Sequence, residues 1–197
     1  VADALEHHRP AFVVLDPVMV ATSGARLLEP DALDALRARL FPLATILTPN
    51  IPEAELLLGR RIEDDSAAEG ALEALCAGTK AVLLKGGHLP SVAGGGFHRP
   101  YGAMVDRYCD GTQRLQFTHQ RIDVEGHGTG CTLASAIAAN LCRGQALHDA
   151  CGAATDYVHG ALRHAVRPGR GQVAVLDHFW QTVRHGIATA SLADASR

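Results

Sequence analysis

Short apolar runs and longer amphipathic segments alternate along the chain. Short apolar runs predict buried strands at residues 11–15, 44–47 and 81–84, because each run is too short for a helix and is followed by polar or turn-forming residues. Two further runs, 103–108 and 114–118, flank Asp110-Gly111, a dipeptide typical of hairpin turns. Apolar positions at helical spacing predict helices at residues 31–40, 52–58, 66–77, about 132–142 and about 147–164. This alternation predicts an α/β fold with three layers, α/β/α, and a mainly parallel central sheet.

Residues typical of helix ends support two of the predicted helices. Ser66 and Glu69 have the spacing of a capping box, in which each side chain binds the other residue's backbone N–H. Pro52 and Glu53 suit a first helical turn, and Gly59 suits the position just past the end of that helix. The glycine-rich segment 88–101 predicts a mobile loop, and residues 186–197 predict a flexible tail.

Composition and charge narrow the class of protein. Hydrophobic residues make up 47% of the 197 positions and charged residues 20%, which is typical of a packed globular domain. The formal net charge of -3 gives no electrostatic reason to expect a nucleic acid or an anionic membrane as a partner, so we expect a small molecule. The five cysteines form no Cys-x-x-Cys pair, which disfavours a disulfide framework or a zinc site and indicates a reducing cytoplasm.

Polar and glycine-rich residues directly follow the first three predicted strands. Asp16 follows the first strand, the segment 48–53 (TPNIPE) follows the second, and Lys85-Gly86-Gly87 follows the third. Ligands of open α/β sheets bind outside the carboxyl ends of the strands. We therefore expect these segments to converge on a binding site that contains two acids and a lysine.

A glycine-rich turn precedes the helix predicted near residue 132. In Gly128-Thr129-Gly130-Cys131 the glycines allow a tight turn whose N–H groups point inward, and the positive end of the helix dipole adds to their attraction for an anion. The segment fits neither a Walker A loop nor a dinucleotide-binding fingerprint. The alternative explanation is that the glycines only allow close packing of the helix.

Each candidate side chain also has a purely structural explanation. Asp16 could hold magnesium or orient a phosphate, or it could cap a turn. Glu53 is the better magnesium candidate because it lies just inside a helix, although pairing with the helix dipole would also explain it. Lys85 could reach nucleotide phosphates or be an ordinary surface lysine. Cys131, in the first turn of its helix, could accept a proton or act as a nucleophile, or it could be a small buried apolar residue.

Taken together, these segments resemble the phosphomethylpyrimidine kinases of the ribokinase superfamily. The similar segments are 16–24 (DPVMVATSG), 47–54 (LTPNIPEA), 84–88 (LKGGH) and 127–138 (HGTGCTLASAIA). They occur in the order of the family and at similar intervals, and the resemblance runs from about residue 11 to residue 166. It implies a ribokinase-like fold and, as the family habit, a homodimer.

The resemblance also implies an activity. Family members use ATP and Mg²⁺ to phosphorylate 4-amino-5-hydroxymethyl-2-methylpyrimidine and then its monophosphate, in thiamine diphosphate biosynthesis. By the family pattern, Cys131 stands where most ribokinase relatives carry an aspartate base. The other implied roles are the anion hole (Gly128, Thr129, Gly130), ATP binding (Asp16, Thr48, Asn50, Lys85, Gly86), magnesium binding (Glu53, Asp16) and contact with the pyrimidine (Val18).

The start of the chain departs from the family pattern. Family members carry a glycine-rich first strand and substrate-binding residues well before the position of Asp16. Here that position is preceded by a predicted helix end at residues 1–8 and the strand at 11–15, with no glycine-rich segment. We therefore expect residues 1–197 to form a single ribokinase-like domain that lacks its N-terminal part and is inactive unless extended. A pyridoxal or pyridoxine kinase and a non-catalytic ligand-binding module of the same fold are the alternative functions.

Overall fold

The computed structural model describes residues 1–19, 27–87, 89, 102–124, 126–168, 170 and 173–182. The predicted tail and most of the predicted loop at 88–101 lie outside these residues. The helices are α1 (Ala2–His8), α2 (Pro30–Ala35), α3 (Ile51–Leu58), α4 (Asp65–Cys76), α5 (Thr129–Cys142) and α6 (Leu147–Arg163). The strands are β1 (Val14–Leu15), β2 (Ile46–Leu47), β3 (Val82–Leu84), β4 (Ala103–Cys109), β5 (Arg114–Gln120), β6 (Gly126–His127) and β7 (Ala174–Val175).

Strands β1 to β5 form one sheet in chain order. Strand β2 pairs in parallel with β1 and β3, whereas β4 pairs antiparallel with β3 and β5. Strands β6 and β7 form a separate parallel pair. Parallel pairings therefore predominate, and the predicted α/β class with a mainly parallel sheet is confirmed.

The two faces of the sheet are buried in two separate cores. Leu47 and Leu84 pack with apolar residues of α3 and α4 on one face. Their chain neighbours Ile46 and Leu83 pack with apolar residues of α5 and α6 on the other face. Successive residues of a strand point to opposite faces, so a run of apolar residues must be covered on both sides. This produces the predicted α/β/α layers.

Most predicted elements are present, with shifted ends. The predicted helix at 31–40 is α2 followed directly by a π-helical turn at Leu36–Leu40. The first strand is shorter than predicted, because Val13 donates its N–H to Thr45 Oγ1 at 2.9 Å instead of to a neighbouring strand, and Phe12 is 41% exposed. The Asp110-Gly111 hairpin turn is present, with Asp110 Oδ1 accepting the N–H of Thr112 at 2.9 Å.

The predicted capping box at Ser66 is wrong. Helix α4 begins one residue earlier, and Asp64 caps it by accepting the N–H of Ala67 at 2.7 Å. An aspartate in extended conformation before the helix is as strong an N-cap as serine, so the local pattern allowed either start. Gly59 is confirmed at the end of α3, where its φ of 65° is the left-handed conformation that favours glycine.

A buried ion pair fixes β4 against α4. Arg107 is 1% exposed. Its Nη2 lies 2.5 Å from Asp65 Oδ1, and its Nε lies 2.8 Å from Glu69 Oε1. These charge-assisted hydrogen bonds satisfy a guanidinium that could not otherwise be buried. They hold the strand that carries Asp106, a residue of the site described below.

Among the described residues, none of the helices has the length and apolar character that crossing a membrane would require.

Candidate functional site

The carboxyl ends of β1, β2 and β3 bring three predicted site residues together. Lys85 Nζ donates to Asp16 Oδ1 at 2.8 Å, although the two residues are 69 positions apart in the chain. Thr48 Oγ1 donates to the same oxygen at 3.0 Å. Because β1, β2 and β3 are parallel neighbours, residues that follow them lie at one edge of the sheet. The convergence expected from the sequence is present in the structure.

Helix α3 begins at this edge with a complete capping box. The Asn50 N–H donates to Glu53 Oε2 at 2.7 Å, and the Glu53 N–H donates to Asn50 Oδ1 at 2.8 Å. Burial raises the pKa of the Glu53 carboxyl above its ordinary value, while the bond from Asn50 and the charge of Lys85, whose Nζ is 3.9 Å away, oppose that rise. Glu53 therefore caps the N-terminus of α3 and also places a carboxyl group beside the Lys85 ammonium group.

The N-terminus of α5 faces the same lysine. Gly128 precedes the helix with a φ of 81°, a conformation that favours glycine and directs the next N–H groups outward from the first turn. A Cβ atom built on Gly130 would lie 3.1 Å from Lys85 Nζ and 3.4 Å from Asp16 Oδ2. The absence of a side chain at Gly130 thus leaves room beside the ammonium group. A helix N-terminus and a lysine together attract an anion.

Gly86 allows a close approach between the end of β3 and β4. A Cβ atom at this position would lie 1.9 Å from the carbonyl oxygen of Val105, so any side chain would displace the strand. The Gly86 N–H donates to Asp106 Oδ1 at 2.8 Å. Gly86 therefore connects the site to the buried carboxylate of Asp106.

Asp106 is the residue of this site that the sequence analysis missed. Its carboxyl is buried, and it lines a cavity of about 160 Å³ that is also lined by Asn50, Lys85 and Gly130. One feature of the sequence could have identified Asp106: it is the single acid in the predicted strand at 103–108. An acid buried in a strand requires hydrogen-bond or ionic partners, so such a position is a candidate site residue. We assigned that strand only to a hairpin.

A second, larger cavity of about 600 Å³ lies on the other side of the α5 N-terminus. Cys131 and Thr132 line it at one end, and Tyr157 of α6 lines it too. Cys131 is exposed and its thiol is free. The first turn of α5 therefore contributes Thr129 and Gly130 to the smaller cavity and Cys131 to the larger one.

Val18 lies two residues beyond Asp16 and is 48% exposed. Its N–H donates to the carbonyl oxygen of Asp16 at 2.9 Å, which turns the chain away after β1. Asp16, Thr48, Asn50, Glu53, Lys85 and Gly130 meet at one place. Val18 is joined to that group through the main chain of Asp16. Its predicted contact with a substrate stays a prediction.

The residues at this edge suit a phosphate chain with a magnesium ion. Lys85 and the N–H groups of α5 supply positive charge, and Asp16 and Glu53 supply two carboxylates. Within the described ranges there is no cluster of three or more His, Cys, Asp or Glu side chains that could hold a metal by themselves. Magnesium commonly takes only one or two carboxylates and completes its shell with water and phosphate oxygens, so this donor set fits it.

Asp106→Asn is expected to flatten the pH dependence of the free energy of unfolding. Burial raises the pKa of Asp106 above its ordinary value of 3.8, so the folded protein binds this proton more tightly than the unfolded chain. Stability therefore falls as pH rises from that ordinary value through the raised one. Asparagine keeps an acceptor for the Gly86 N–H and has no proton to lose. Urea unfolding between about pH 4 and pH 8 measures the slope.

The matched control is Asp34→Asn, since the Asp34 side chain is 80% exposed. We expect this variant to keep the slope of the parent protein. An unchanged slope in Asp106→Asn would contradict the assignment of a raised pKa to Asp106.

Comparison with known proteins identifies the family of the chain. The family model for phosphomethylpyrimidine kinase matches residues 1–176. A hydroxymethylpyrimidine/phosphomethylpyrimidine kinase from Rhizobium meliloti is 42% identical over 188 residues, covering 92% of this chain and 66% of the relative. The chain spans between one third and two thirds of the length of the first curated relatives it matches.

Solved structures show the same fold. The phosphomethylpyrimidine kinase of Clostridium difficile has a TM-score of 0.64 at 33% identity, covering 82% of this chain and 62% of that protein. The pyridoxal kinase of Staphylococcus aureus in complex with AMP-PCP has a TM-score of 0.77 at 28% identity, covering 90% of this chain and 61% of that protein. The predicted ribokinase-like fold is thereby confirmed. Because the family model spans most of its length, the chain belongs to the phosphomethylpyrimidine kinase family.

Proposed function

We propose that the protein carrying this chain is a kinase that transfers the γ-phosphoryl group of ATP to 4-amino-5-hydroxymethyl-2-methylpyrimidine, and then phosphorylates the monophosphate. The observation that carries this proposal is the meeting of Asp16, Lys85 and Gly130 at one edge of the sheet. An ammonium group, a carboxylate and a helix N-terminus at one point form a site for a phosphoryl group and its metal ion.

The residues divide the work of phosphoryl transfer between them. Phosphoryl transfer passes through a loose transition state, so catalysis depends on positioning and on stabilising negative charge. Lys85 and the N–H groups that follow Gly128 are placed to bind the phosphate oxygens. Asp16 and Glu53 would hold Mg²⁺, which neutralises the charge of the phosphates when it is bound. Thr48 keeps the Asp16 carboxylate in position.

Cys131 is the proposed acceptor of the proton from the substrate hydroxyl. It lines the larger cavity, next to the turn that would bind the phosphoryl group. The attacking hydroxyl must reach that group from a side that the nucleotide does not occupy. We infer that ATP phosphates use the cavity at Lys85 and that the pyrimidine approaches from the side of Cys131. Contact between the pyrimidine and Val18 stays a separate prediction that rests on the family resemblance.

The comparisons support the pyrimidine over pyridoxal as the acceptor. Sequence identity is 42% to the Rhizobium meliloti pyrimidine kinase and 28% to the Staphylococcus aureus pyridoxal kinase. Pyridoxal phosphorylation is the second candidate, because the structure of that pyridoxal kinase is similar to this one. A non-catalytic binding module is disfavoured because Glu53, Lys85, Cys131 and the glycine turn are all kept.

An ATP-dependent phosphorylation assay tests the proposal. It uses this chain and the complete gene product that carries it, with the hydroxymethylpyrimidine, its monophosphate and pyridoxal as acceptors. We expect the complete protein to form pyrimidine mono- and diphosphates, and to use pyridoxal poorly. ATP binding without phosphorylation of any acceptor would overturn the kinase assignment in favour of the binding module.

The family resemblance further supports a homodimer located in the cytoplasm, with this chain as part of one kinase domain. Light scattering on the purified gene product measures its molar mass in solution. A monomer at assay concentration would contradict the dimer.

A further inference from the structure

Two cysteine thiols meet far from the candidate active site. Cys76 ends α4 and Cys109 ends β4, and both side chains line the same small cavity. Strand β4 runs antiparallel to β3, with Val82 opposite Cys109 and Leu84 opposite Arg107. Because Lys85 follows the other end of β3, the thiol pair lies at the opposite edge of the sheet from the phosphate-binding residues.

Two ion pairs hold α4 against β4 and β5 beside the thiols. Arg107 binds Glu69, and Arg114 Nη2 lies 2.9 Å from Glu73 Oε1. Glu69, Glu73 and Cys76 are three or four residues apart, so they lie along one side of the helix. The contact between the thiols is thus fixed by interactions on the same helix face and does not depend on the cysteines themselves.

The two thiols differ in access. Both line a cavity of about 210 Å³ at the surface, but Cys76 is partly exposed and Cys109 is buried. A reagent that enters this cavity reaches Cys76 first. Cys109 lines the same cavity, so it is the side chain placed to attack a sulfur bound to Cys76. This is the arrangement of an attacking thiol and a resolving thiol.

We propose that Cys76 and Cys109 form a dithiol site that low-molecular-weight disulfides oxidise to an intramolecular disulfide. The Cys76 thiolate attacks one sulfur of the reagent R–S–S–R, whose S–S bond breaks and releases R–S⁻, which takes up a proton. The Cys109 thiolate then attacks Cys76 Sγ in the mixed disulfide and releases the second R–S⁻. Two protein thiols are oxidised and one reagent disulfide is reduced to two thiols, so electrons and protons balance. This site does not depend on the proposed kinase function.

The reaction is expected to be strongly pH-dependent. Burial, together with the neighbouring Cys109 thiol, raises the pKa of Cys76 to about 11. The thiolate is the nucleophile, so the rate rises about tenfold per pH unit between about pH 7 and pH 10. The site therefore stays reduced in neutral, reducing conditions and reacts when the medium becomes alkaline or oxidising.

Peptide mapping of the folded protein tests the proposal. The probe is 2-hydroxyethyl disulfide, which is small and uncharged, and the reaction is stopped by acid before trypsin digestion without reductant. Trypsin places Cys76 in the peptide 62–80 and Cys109 in the peptide 108–114, each with a single cysteine. We expect these two peptides joined, with the loss of two hydrogens, while Cys151 stays a free thiol.

Two variants separate the attacking from the resolving thiol. In Cys109→Ser we expect the mixed disulfide on Cys76 to persist, and in Cys76→Ser we expect Cys109 to remain unmodified. Circular dichroism verifies that each variant is folded, and the result on the parent protein needs neither variant. A parent protein that accumulates the mixed disulfide, does not react, or forms the cross-link only in urea would overturn the proposal.

Discussion

Cys131→Ala is expected to lower kcat for pyrimidine phosphorylation by about 10²- to 10⁴-fold, the contribution of a positioned general base. Cys131 is exposed in the first turn of α5, next to the glycine turn at Gly128. Cys131→Asp is expected to recover most of the loss, because a carboxylate can accept the same proton. Steady-state kinetics of the complete gene product measures both effects.

The matched control for this prediction is Cys142→Ala. Cys142 is also exposed and also lies on α5, but at the opposite end of the helix. We expect kcat to stay within about twofold of the parent, as is usual for surface substitutions away from a site. A Cys131→Ala enzyme with nearly full kcat would remove Cys131 from the role of base and leave the glycine turn as the catalytic feature of this segment.

Lys85→Met is expected to lower kcat by about 10²- to 10³-fold, which is the effect of removing one group that stabilises charge in a transition state. The Lys85 side chain is only 15% exposed, so its apolar stem is packed against neighbouring residues. Methionine keeps most of that stem. The variant therefore removes the ammonium group that lies 2.8 Å from Asp16 and borders the space at Gly130. We also expect a higher KM for ATP, because the ground-state phosphates lose the same contact.

Lys80→Met provides a close control, since Lys80 and Lys85 are the two lysines of the chain. Lys80 is exposed and precedes β3 in the chain, whereas Lys85 follows it. We expect normal kcat and normal KM for ATP in this variant. If Lys85→Met kept normal ATP kinetics while remaining folded, the phosphates would have to bind elsewhere and the proposed site would be wrong.

The sequence predicted the layered fold and most of the site for the same physical reason. Buried strands such as β3 are continuous apolar runs, and the polar residues of a parallel sheet follow such runs directly. Asp16, Thr48 and Lys85 could therefore be assigned to one edge before any contact was known. The pattern also located the glycine turn, in which Gly128 adopts a left-handed conformation before α5 and Gly130 leaves room beside Lys85.

Other features lay beyond what local patterns determine. The start of α4 was misplaced because Asp64 and Ser66 are both good caps, and only the packed helix selects one of them. Asp106 was missed because an acid in an apolar strand is unremarkable until its partner, the Gly86 N–H, is known.

The sequence by itself determined the order of most strands and helices, the fold class and the position of the glycine turn before α5, since these depend on periodicity and on residues close together in the chain. Only the tertiary structure decided which residues meet across long separations: Lys85 with Asp16, Arg107 with α4, and Cys76 with Cys109. Such contacts depend on which strands pair and on which face of the sheet each helix packs. Strand pairing and helix packing depend on the burial of whole apolar surfaces. A short stretch of sequence does not specify which distant residue it will contact.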